Sequence, residues 1–254
     1  MSPRIRRLIF VTAALAVGAV ILRGFVGLPG FGNRQSPYGQ LLNRYAVAER
    51  HATNVVAAVL FDYRALDTLG EEFILFAAAV AASLLLRAQW DEKEAPAGTE
   101  EGARPDRRVP PVSDAVRAIT LGLLGSTVLF GVYLVVHGQL SPGGGFQGGL
   151  AIATAWVLIY LADEVDTFRR LTPEPVLDTV EAAGAASFVL VGLAGLLFGG
   201  ALLKNIVPLG RPGALLSGGT ILVLNVAVGV AVTAAFLSVF VIFLRQTFLV
   251  REPD

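Results

Sequence analysis

The sequence predicts an all-α integral membrane protein of about six transmembrane helices, with one additional short interfacial or half-embedded helix near residues 52–63. Hydrophobic residues make up 54% of the chain and charged residues only 16%, whereas about 25% of the residues in an ordinary soluble domain are charged. The mean hydropathy is +0.66. Several separate apolar stretches approach the length of about 20 residues that a helix needs to cross the hydrocarbon core.

The predicted spans follow one another along the whole chain. Basic residues precede the first span, as they do in a secretory signal, but no small-residue cleavage pattern follows it, which favours a retained helix. The fourth span is short, so its ends are the least well defined. The six stretches are residues 6–27, 70–88, 115–137, 148–163, 183–203 and 220–244.

Two segments interrupt this series of spans. Residues 54–61 are apolar but too short to span, and they end at Asp62, which favours an interfacial or half-embedded helix. Residues 90–112 are rich in charged residues and proline and cannot bury apolar surface. We therefore predict a membrane module of two spans (1–89), a charged linker, and a second module of four spans (113–254). An ordinary charged loop within one domain is the alternative for the linker.

The arginines that flank the spans predict the orientation of the chain, because positive charge is retained in the cytoplasm. Six spans place both termini on the same side. The arginines of that side, apart from those of the linker, are Arg4, Arg6, Arg7, Arg87, Arg117, Arg169, Arg170, Arg245 and Arg251. We expect a multi-pass protein of the cell membrane with both termini in the cytoplasm.

The composition also excludes several functions. The chain has no cysteine, so it has no disulfides, cysteine-based zinc sites or iron–sulfur ligands. Its formal net charge is zero and it lacks a basic tract with interleaved aromatic residues, which argues against a nucleic-acid partner. We predict no cofactor, no metal beyond a transported ion, and no catalytic chemistry in this chain.

Four carboxylates lie immediately before and inside the second span, and all four are candidates for an ion or proton pathway: Asp62, Asp67, Glu71 and Glu72. An aspartate at the centre of a spanning helix is unfavourable by about 2.5–3.5 kcal/mol, so such groups usually pair or line a hydrated path. For Asp67 we favour capping of the helix N-terminus. Glu71 fits ion handling and a first-turn position, where the helix dipole favours negative charge, about equally well.

A glycine-rich connection between the third and fourth spans is the most distinctive stretch of the sequence. It follows a membrane helix and has no lysine, which argues against nucleotide binding. Its backbone carbonyls are suited to meeting a cation or water in a membrane cavity, and close packing of a helical hairpin is an equally good interpretation. The predicted structural loop comprises Pro142, Gly143, Gly144, Gly145 and Phe146.

Polar residues within or at the ends of the later spans are weaker candidates. His137 ends the third span and is either a proton relay or an interfacial polar residue. Lys204 ends the fifth span, where snorkelling to the interface is favoured over a role beside a proton path. Asn225, Gly229 and Thr233 recur at every fourth position of the sixth span, a pattern typical of close helix contact.

Residues 138–149 and 216–230 resemble the B subunit of Mrp-type sodium/proton antiporters, and this resemblance extends from about residue 112 to the C-terminus. Upstream, residues 53–56 and 61–71 resemble the C-terminal extension of the antiporter A subunit and the equivalent small subunit of membrane-bound hydrogenases. In the commonest layout of the family this extension belongs to the A chain. Here it is fused ahead of the B module.

The resemblance implies a membrane subunit of a multi-subunit cation/proton antiporter that helps to form the sodium translocation path, scaffolds the complex and is driven by proton-motive force. The implied partners are large antiporter-like subunits, small three-span subunits and the lipid bilayer. Residue by residue, Asp62, Asp67 and Glu71 match the acidic motif of the family, and residues 142–146 match its glycine loop. The alternatives are the same module in a hydrogenase-like or respiratory redox complex, and an assembly subunit outside the ion path.

Overall fold

The computed structural model describes residues 3–28, 36–86, 112–162 and 165–249. These ranges contain nine α-helices and one short π-helix. The α-helices are α1 (Pro3–Val26), α2 (Pro37–Arg50), α3 (Val55–Ala58), α4 (Ala65–Leu85), α5 (Asp114–Val136), α6 (Gly145–Leu161), α7 (Val165–Leu171), α8 (Glu174–Gly199) and α9 (Thr220–Leu249), and the π-helix is Val59–Tyr63. The predicted linker lies largely outside the described residues.

Five of the described helices are long and apolar enough to cross a membrane: Arg7–Val26, Ala65–Leu85, Asp114–Val136, Glu174–Gly199 and Thr220–Leu244. The shorter apolar helix α6 has 17 residues and corresponds to the predicted fourth span. These helices confirm the prediction of an all-α membrane protein. No strand occurs in the described ranges.

Two helices begin well before the predicted spans. Helix α4 begins at Ala65 rather than residue 70, and α8 begins at Glu174 rather than residue 183. Hydropathy detects only the apolar part of a helix, whereas acidic residues and proline are favourable in its first turn. The earlier starts place Asp67 and Glu181 inside helices.

The chain forms two compact units, residues 1–44 and 45–254. The first unit contains α1 and the beginning of α2. Helix α1 is apolar from Leu8 to Leu22, after three arginines in its first turns, and none of its most apolar stretch is buried. Its exposed surface is therefore suited to contact with lipid or with other membrane helices.

Helix α9 forms the centre of the second unit, where it contacts α4, α5, α6, α8 and the π-helix. Half of the most apolar stretch of α9 is buried, against about a fifth of the corresponding stretches of α4, α5 and α8. A helix buried in this way is covered by other helices rather than by lipid. The remaining spans of this unit are therefore arranged around α9.

Short contacts between backbones bring α5, α6 and α9 together. A Cβ atom added to Gly148 of α6 would lie 2.7 Å from the carbonyl oxygen of Gly131 in α5, and one added to Gly149 would lie 2.7 Å from the carbonyl oxygen of Gly229 in α9. The Thr233 hydroxyl also donates to the Gly149 carbonyl at 3.1 Å. Small residues allow helices to approach closely in membranes, because little else separates their backbones.

The predicted short helix near residues 52–63 is present as α3 followed by the π-helix. Asn54 caps its N-terminus, since the Asn54 side chain accepts hydrogen bonds from the N–H groups of Val56 and Ala57. Phe61 is buried and lies 6.4 Å, centroid to centroid, from the ring of Phe188 in α8. This segment therefore packs into the core of the second unit and positions Asp62 beside it.

Candidate functional site

The glycine-rich connection is a tight turn between α5 and α6. Gly143 and Gly144 have φ angles of 152° and 139°, which side chains rarely adopt. The N–H of Gly144 donates to the Leu134 carbonyl at 3.0 Å, and the N–H of Gly145 donates to the Asn225 side chain at 2.9 Å. Pro142 is exposed, while Phe146 is half-buried against the core of the second unit.

The carbonyl groups of this turn are largely occupied by donors from the protein. The Asn54 amide donates to the carbonyls of Gly138 at 2.7 Å and Ser141 at 3.0 Å, and the Thr53 hydroxyl donates to the Leu140 carbonyl at 2.6 Å. Carbonyls that already accept hydrogen bonds are poorly placed to replace the hydration shell of a cation. The geometry supports the packing interpretation of the loop over the cavity-lining one.

A polar cluster lies where the π-helix meets the connection between α8 and α9. Asp62 forms an ion pair with Arg50, with 2.7 Å between Nε and Oδ1, and accepts a hydrogen bond from the Asn205 amide at 3.1 Å. Asn205 also accepts from the N–H of Thr220 at 2.9 Å, at the start of α9. Through these contacts, the Asp62 carboxylate connects the π-helix with α2 and with the segment between α8 and α9.

Burial is the dominant influence on the ionisable groups of this cluster. It raises the pKa of Asp62 above the usual aspartate value, and the Arg50 cation and the Asn205 hydrogen bond offset only part of this effect. Burial, together with a hydrogen bond donated to Glu49, raises the pKa of the Tyr63 hydroxyl to about 12. Arg50 and Asn205 therefore both stabilise the charged form of Asp62, which favours a structural role for this carboxylate.

Replacement of Arg50 by glutamine is expected to destabilise the protein more at neutral than at acidic pH. A raised folded-state pKa means that Asp62 contributes most to stability when protonated, and that stability falls as pH rises above about 3.9, the unfolded value. Loss of Arg50 leaves a charge that is 8% exposed without its cation, at a cost of about 1–3 kcal/mol. Thermal unfolding of the purified protein at about pH 4.5 and about pH 7.5 measures the difference.

The matched control for this variant is Arg64→Gln. Arg64 forms an ion pair with Asp67, but the two side chains are 57% and 49% exposed, and such pairs contribute at most about 1 kcal/mol. The control is expected to change stability little and equally at both pH values. An equal destabilisation by Arg50→Gln at both pH values would contradict the assigned dependence of Asp62 on Arg50.

The carboxylates of α4 have three different surroundings. The prediction that Asp67 caps the helix is wrong, because Arg64 occupies the N-cap position; Asp67 lies in the first turn and pairs with Arg64. Glu71 is exposed and has no hydrogen bond or ion pair with any residue that the structure describes. Glu72 is only 2% exposed, because its side of α4 faces α8 and α9. Of these two adjacent glutamates, it is therefore Glu72 that is buried, and not Glu71, which matches the acidic motif.

The buried partner of Glu72 is Glu181 of α8, a residue that the sequence analysis did not identify. Glu181 is 4% exposed, and the two carboxylates are close enough to interact electrostatically. In each of them Oε1 has no hydrogen-bond partner among the described residues. The 22 residues 182–203 are uncharged and long enough to span by themselves, so the sequence did not require Glu181 to enter the bundle.

The other two pathway candidates lie apart from this pair. His137 caps the C-terminus of α5, where its ring stacks on Tyr133 with 4.3 Å between centroids. Lys204 is exposed, and its ammonium group donates to the Gly199 carbonyl at the end of α8 at 2.8 Å. This position agrees with snorkelling to the interface. In the described ranges, no group of three or more His, Asp or Glu side chains is arranged to hold a metal ion.

The chain resembles known membrane complexes over nearly its whole length. A family model for a domain related to the MnhB subunit of the Na+/H+ antiporter matches residues 115–238, and one for MbhE, a subunit of MBH, matches residues 5–100. An uncharacterized protein of Methanocaldococcus jannaschii is 30% identical over 204 residues, which cover 72% of this chain and 76% of that protein.

Two solved structures share the fold. A chain of the membrane-bound sulfane sulfur reductase, an archaeal respiratory membrane complex, aligns with a TM-score of 0.68 and 29% identity over 94% of this chain and 98% of that chain. A chain of the Mrp complex from Dietzia aligns with a TM-score of 0.69 and 30% identity over 94% of this chain. The aligned region is 26% of the Mrp chain, so the present chain corresponds to about a quarter of that protein.

Proposed function

Because the chain belongs to the family of the MnhB subunit of Na+/H+ antiporters, with a region matching MbhE of MBH ahead of it, we propose that it is a membrane subunit of a multi-subunit cation/proton antiporter. In this role it scaffolds the complex and contributes side chains to the sodium path, and proton-motive force drives the exchange. The chain itself carries out no catalytic chemistry and holds no cofactor. Na+ and H+ are its cargo.

The buried pair of Glu72 and Glu181 is the observation that carries this proposal. Two carboxylates that interact electrostatically inside a helical bundle are unfavourable unless protons or cations reach them, since burial disfavours the charged form of each and the like charges repel each other. Their unpartnered oxygens can accept either species. A site that exchanges a proton for a sodium ion needs this chemistry. Of the acidic-motif residues, Asp62 and Asp67 are better explained by their ion pairs.

The organisation of the chain is part of the same proposal. The two family matches, residues 5–100 and 115–238, support a first module at 1–89, a linker at 90–112 and a second module at 113–254. We place both termini in the cytoplasm, because most of the flanking arginines lie on the same side of the membrane as the two termini. The proposed partners are large antiporter-like subunits and small three-span subunits.

A second candidate function is the same module within a redox-driven membrane complex. The alignment with the sulfane sulfur reductase favours this function, since it covers 98% of the reductase chain. The present chain has no cysteine to ligate a cluster. In such a complex, other subunits would transfer the electrons, and this chain would have the same ion-handling role.

Purification of the tagged full chain in mild detergent, followed by mass spectrometry of the bound proteins, is expected to recover large antiporter-like subunits and small three-span subunits. Such a set without iron–sulfur or nickel proteins supports the secondary antiporter. Redox subunits in the same fraction would move the function to the respiratory class. A chain that purifies alone from a membrane with all subunits present would contradict both.

A further inference from the structure

Three carboxylates form a row on one face of α8 that ends at the buried pair of Glu72 and Glu181. Glu174, Asp178 and Glu181 are four and three positions apart, so they lie one above another along the helix. Asp178 is exposed, Glu174 is half-buried and Glu181 is buried. Asp178 is also close enough to Glu181 to interact with it electrostatically. The row therefore leads from the beginning of α8 to the buried pair.

Ser238 of α9 is an independent polar group in the same region, which matters because the helix dipole alone favours acidic residues in first turns. Ser238 is 4% exposed, and its hydroxyl has no hydrogen-bond partner among the described residues. By contrast, the hydroxyls of Ser187 and Thr233 each donate to the carbonyl group four positions earlier in their helix. A buried polar group that lacks a protein partner generally binds water or an ion.

The side chain of Ser238 lies on the side of α9 that faces α8. Ala231 on this side touches α8, since a Cβ added to Gly184 would lie 2.8 Å from the Ala231 Cβ. Ser238 follows Ala231 by about two helical turns and therefore points in nearly the same direction. The buried residues between them on this side are Ala234 and Ala235. No long side chain of α9 therefore separates Ser238 from the buried pair.

The height of Ser238 in the bundle follows from the opposite directions of α8 and α9. Phe188 of α8 packs in the same cluster as Leu224, near the beginning of α9. Leu177, near the beginning of α8, packs in the same cluster as Leu237. Because Ser238 directly follows Leu237, it lies closer to the beginning of α8 than the buried pair does. Its hydroxyl is therefore on the same side of the pair as the exposed end of the carboxylate row.

We propose that the buried pair exchanges protons and cations with the side of the membrane at which α8 begins, along a hydrated route formed by Asp178 and Ser238. Asp178 attracts cations to the beginning of α8, and the Ser238 hydroxyl binds water between Asp178 and the pair. In the orientation proposed above, this side is the cytoplasm. The route rests on the proposed function, because it requires that Glu72 and Glu181 handle the transported ions.

Thiol labelling tests this route, because the native chain has no cysteine. In the assembled complex, Ser238→Cys is expected to react with a small membrane-impermeant thiol reagent in inverted vesicles, which present the cytoplasmic face. In right-side-out vesicles it should be protected. Ala227→Cys is the matched control, since Ala227 is 6% exposed and lies about three turns earlier on the same side of α9.

The control cysteine is expected to react about tenfold more slowly than Ser238→Cys in inverted vesicles, because thiol reactivity requires access to the reagent and to water. No labelling of Ser238→Cys from the cytoplasmic face, or labelling no faster than that of Ala227→Cys, would overturn the route. Labelling is measured without transport. Fast labelling of Ser238→Cys together with normal transport by Glu181→Gln would therefore count against the proposed function, whereas slow labelling together with loss of transport would count against the route alone.

The charge of Asp178 is tested by Asp178→Asn. The half-saturating Na+ concentration at the cytoplasmic face is expected to rise about threefold or more, because the charge that attracts the cation is lost. Asp178→Glu keeps the charge and should restore the wild-type value. Asp114→Asn, at an exposed carboxylate of α5, should leave it unchanged. A wild-type half-saturating concentration in Asp178→Asn would show that Asp178 does not supply cations to the buried pair.

Discussion

Replacement of Glu181 by glutamine is expected to abolish most of the coupled transport of the complex, by about tenfold or more, which corresponds to at least about 1.4 kcal/mol. Glutamine has nearly the same shape as glutamate but can neither release a proton nor carry a negative charge. It also removes the repulsion between Glu181 and Glu72, two buried groups. We therefore expect the assembled complex to be as stable as the wild type or more stable.

Sodium-dependent proton movement in inverted membrane vesicles measures this effect, and gel filtration of the solubilised complex checks its assembly. Glu72→Gln is expected to behave in the same way as Glu181→Gln. Asp114→Asn is the matched control, because Asp114 is an exposed carboxylate in the first turn of α5. Normal transport by the Glu181→Gln variant in an intact complex would show that Glu72 and Glu181 do not lie in the ion path.

The second large effect is expected at the crossing of α5 and α6, where Gly148→Ala should destabilise the protein by about 1–3 kcal/mol. An added Cβ would lie 2.7 Å from the Gly131 carbonyl oxygen and 2.8 Å from the Val135 nitrogen. Both are backbone atoms, so the clash can be relieved only if the helices separate. A larger residue, as in Gly148→Leu, is expected to prevent accumulation of the folded chain.

The measurement is the thermal midpoint of the solubilised protein, followed by fluorescence-detected gel filtration. Gly125→Ala on α5 is the control, since a Cβ at Gly125 meets nothing within 4 Å. Alanine is favoured over glycine in a helix by about 1 kcal/mol, so the control should be neutral or stabilising. If both variants lower the midpoint equally, the close approach of α5 and α6 is not what stabilises the hairpin.

The carboxylates show how far sequence reasoning extends to the candidate site. Hydropathy and charge identified Asp62, Asp67, Glu71 and Glu72 as unusual. Acidic residues next to an apolar run can be recognised without knowing how the helices are arranged. Their surroundings did not follow from the sequence. Asp62 has Arg50 as its cation, a residue 12 positions away on a different helix.

The sequence by itself determined the class of the protein and the order of its spans. Long apolar stretches must cross lipid as helices, since the backbone has no other way to satisfy its hydrogen bonds there. Glycine and proline mark the turn between α5 and α6, although the predicted loop at residues 142–146 extends too far, because α6 already begins at Gly145. These signals are local. They required no knowledge of which helices are neighbours.

Only the tertiary structure decided which polar groups meet. Glu71 and Glu72 are adjacent in sequence but about 100° apart around the helix, so one faces α8 and α9 while the other is exposed. Glu181 becomes a partner of Glu72 because α8 begins earlier than hydropathy predicts and packs beside α4. Hydropathy sums over all sides of a helix, whereas burial depends on which side its neighbours cover, and that choice is made by packing.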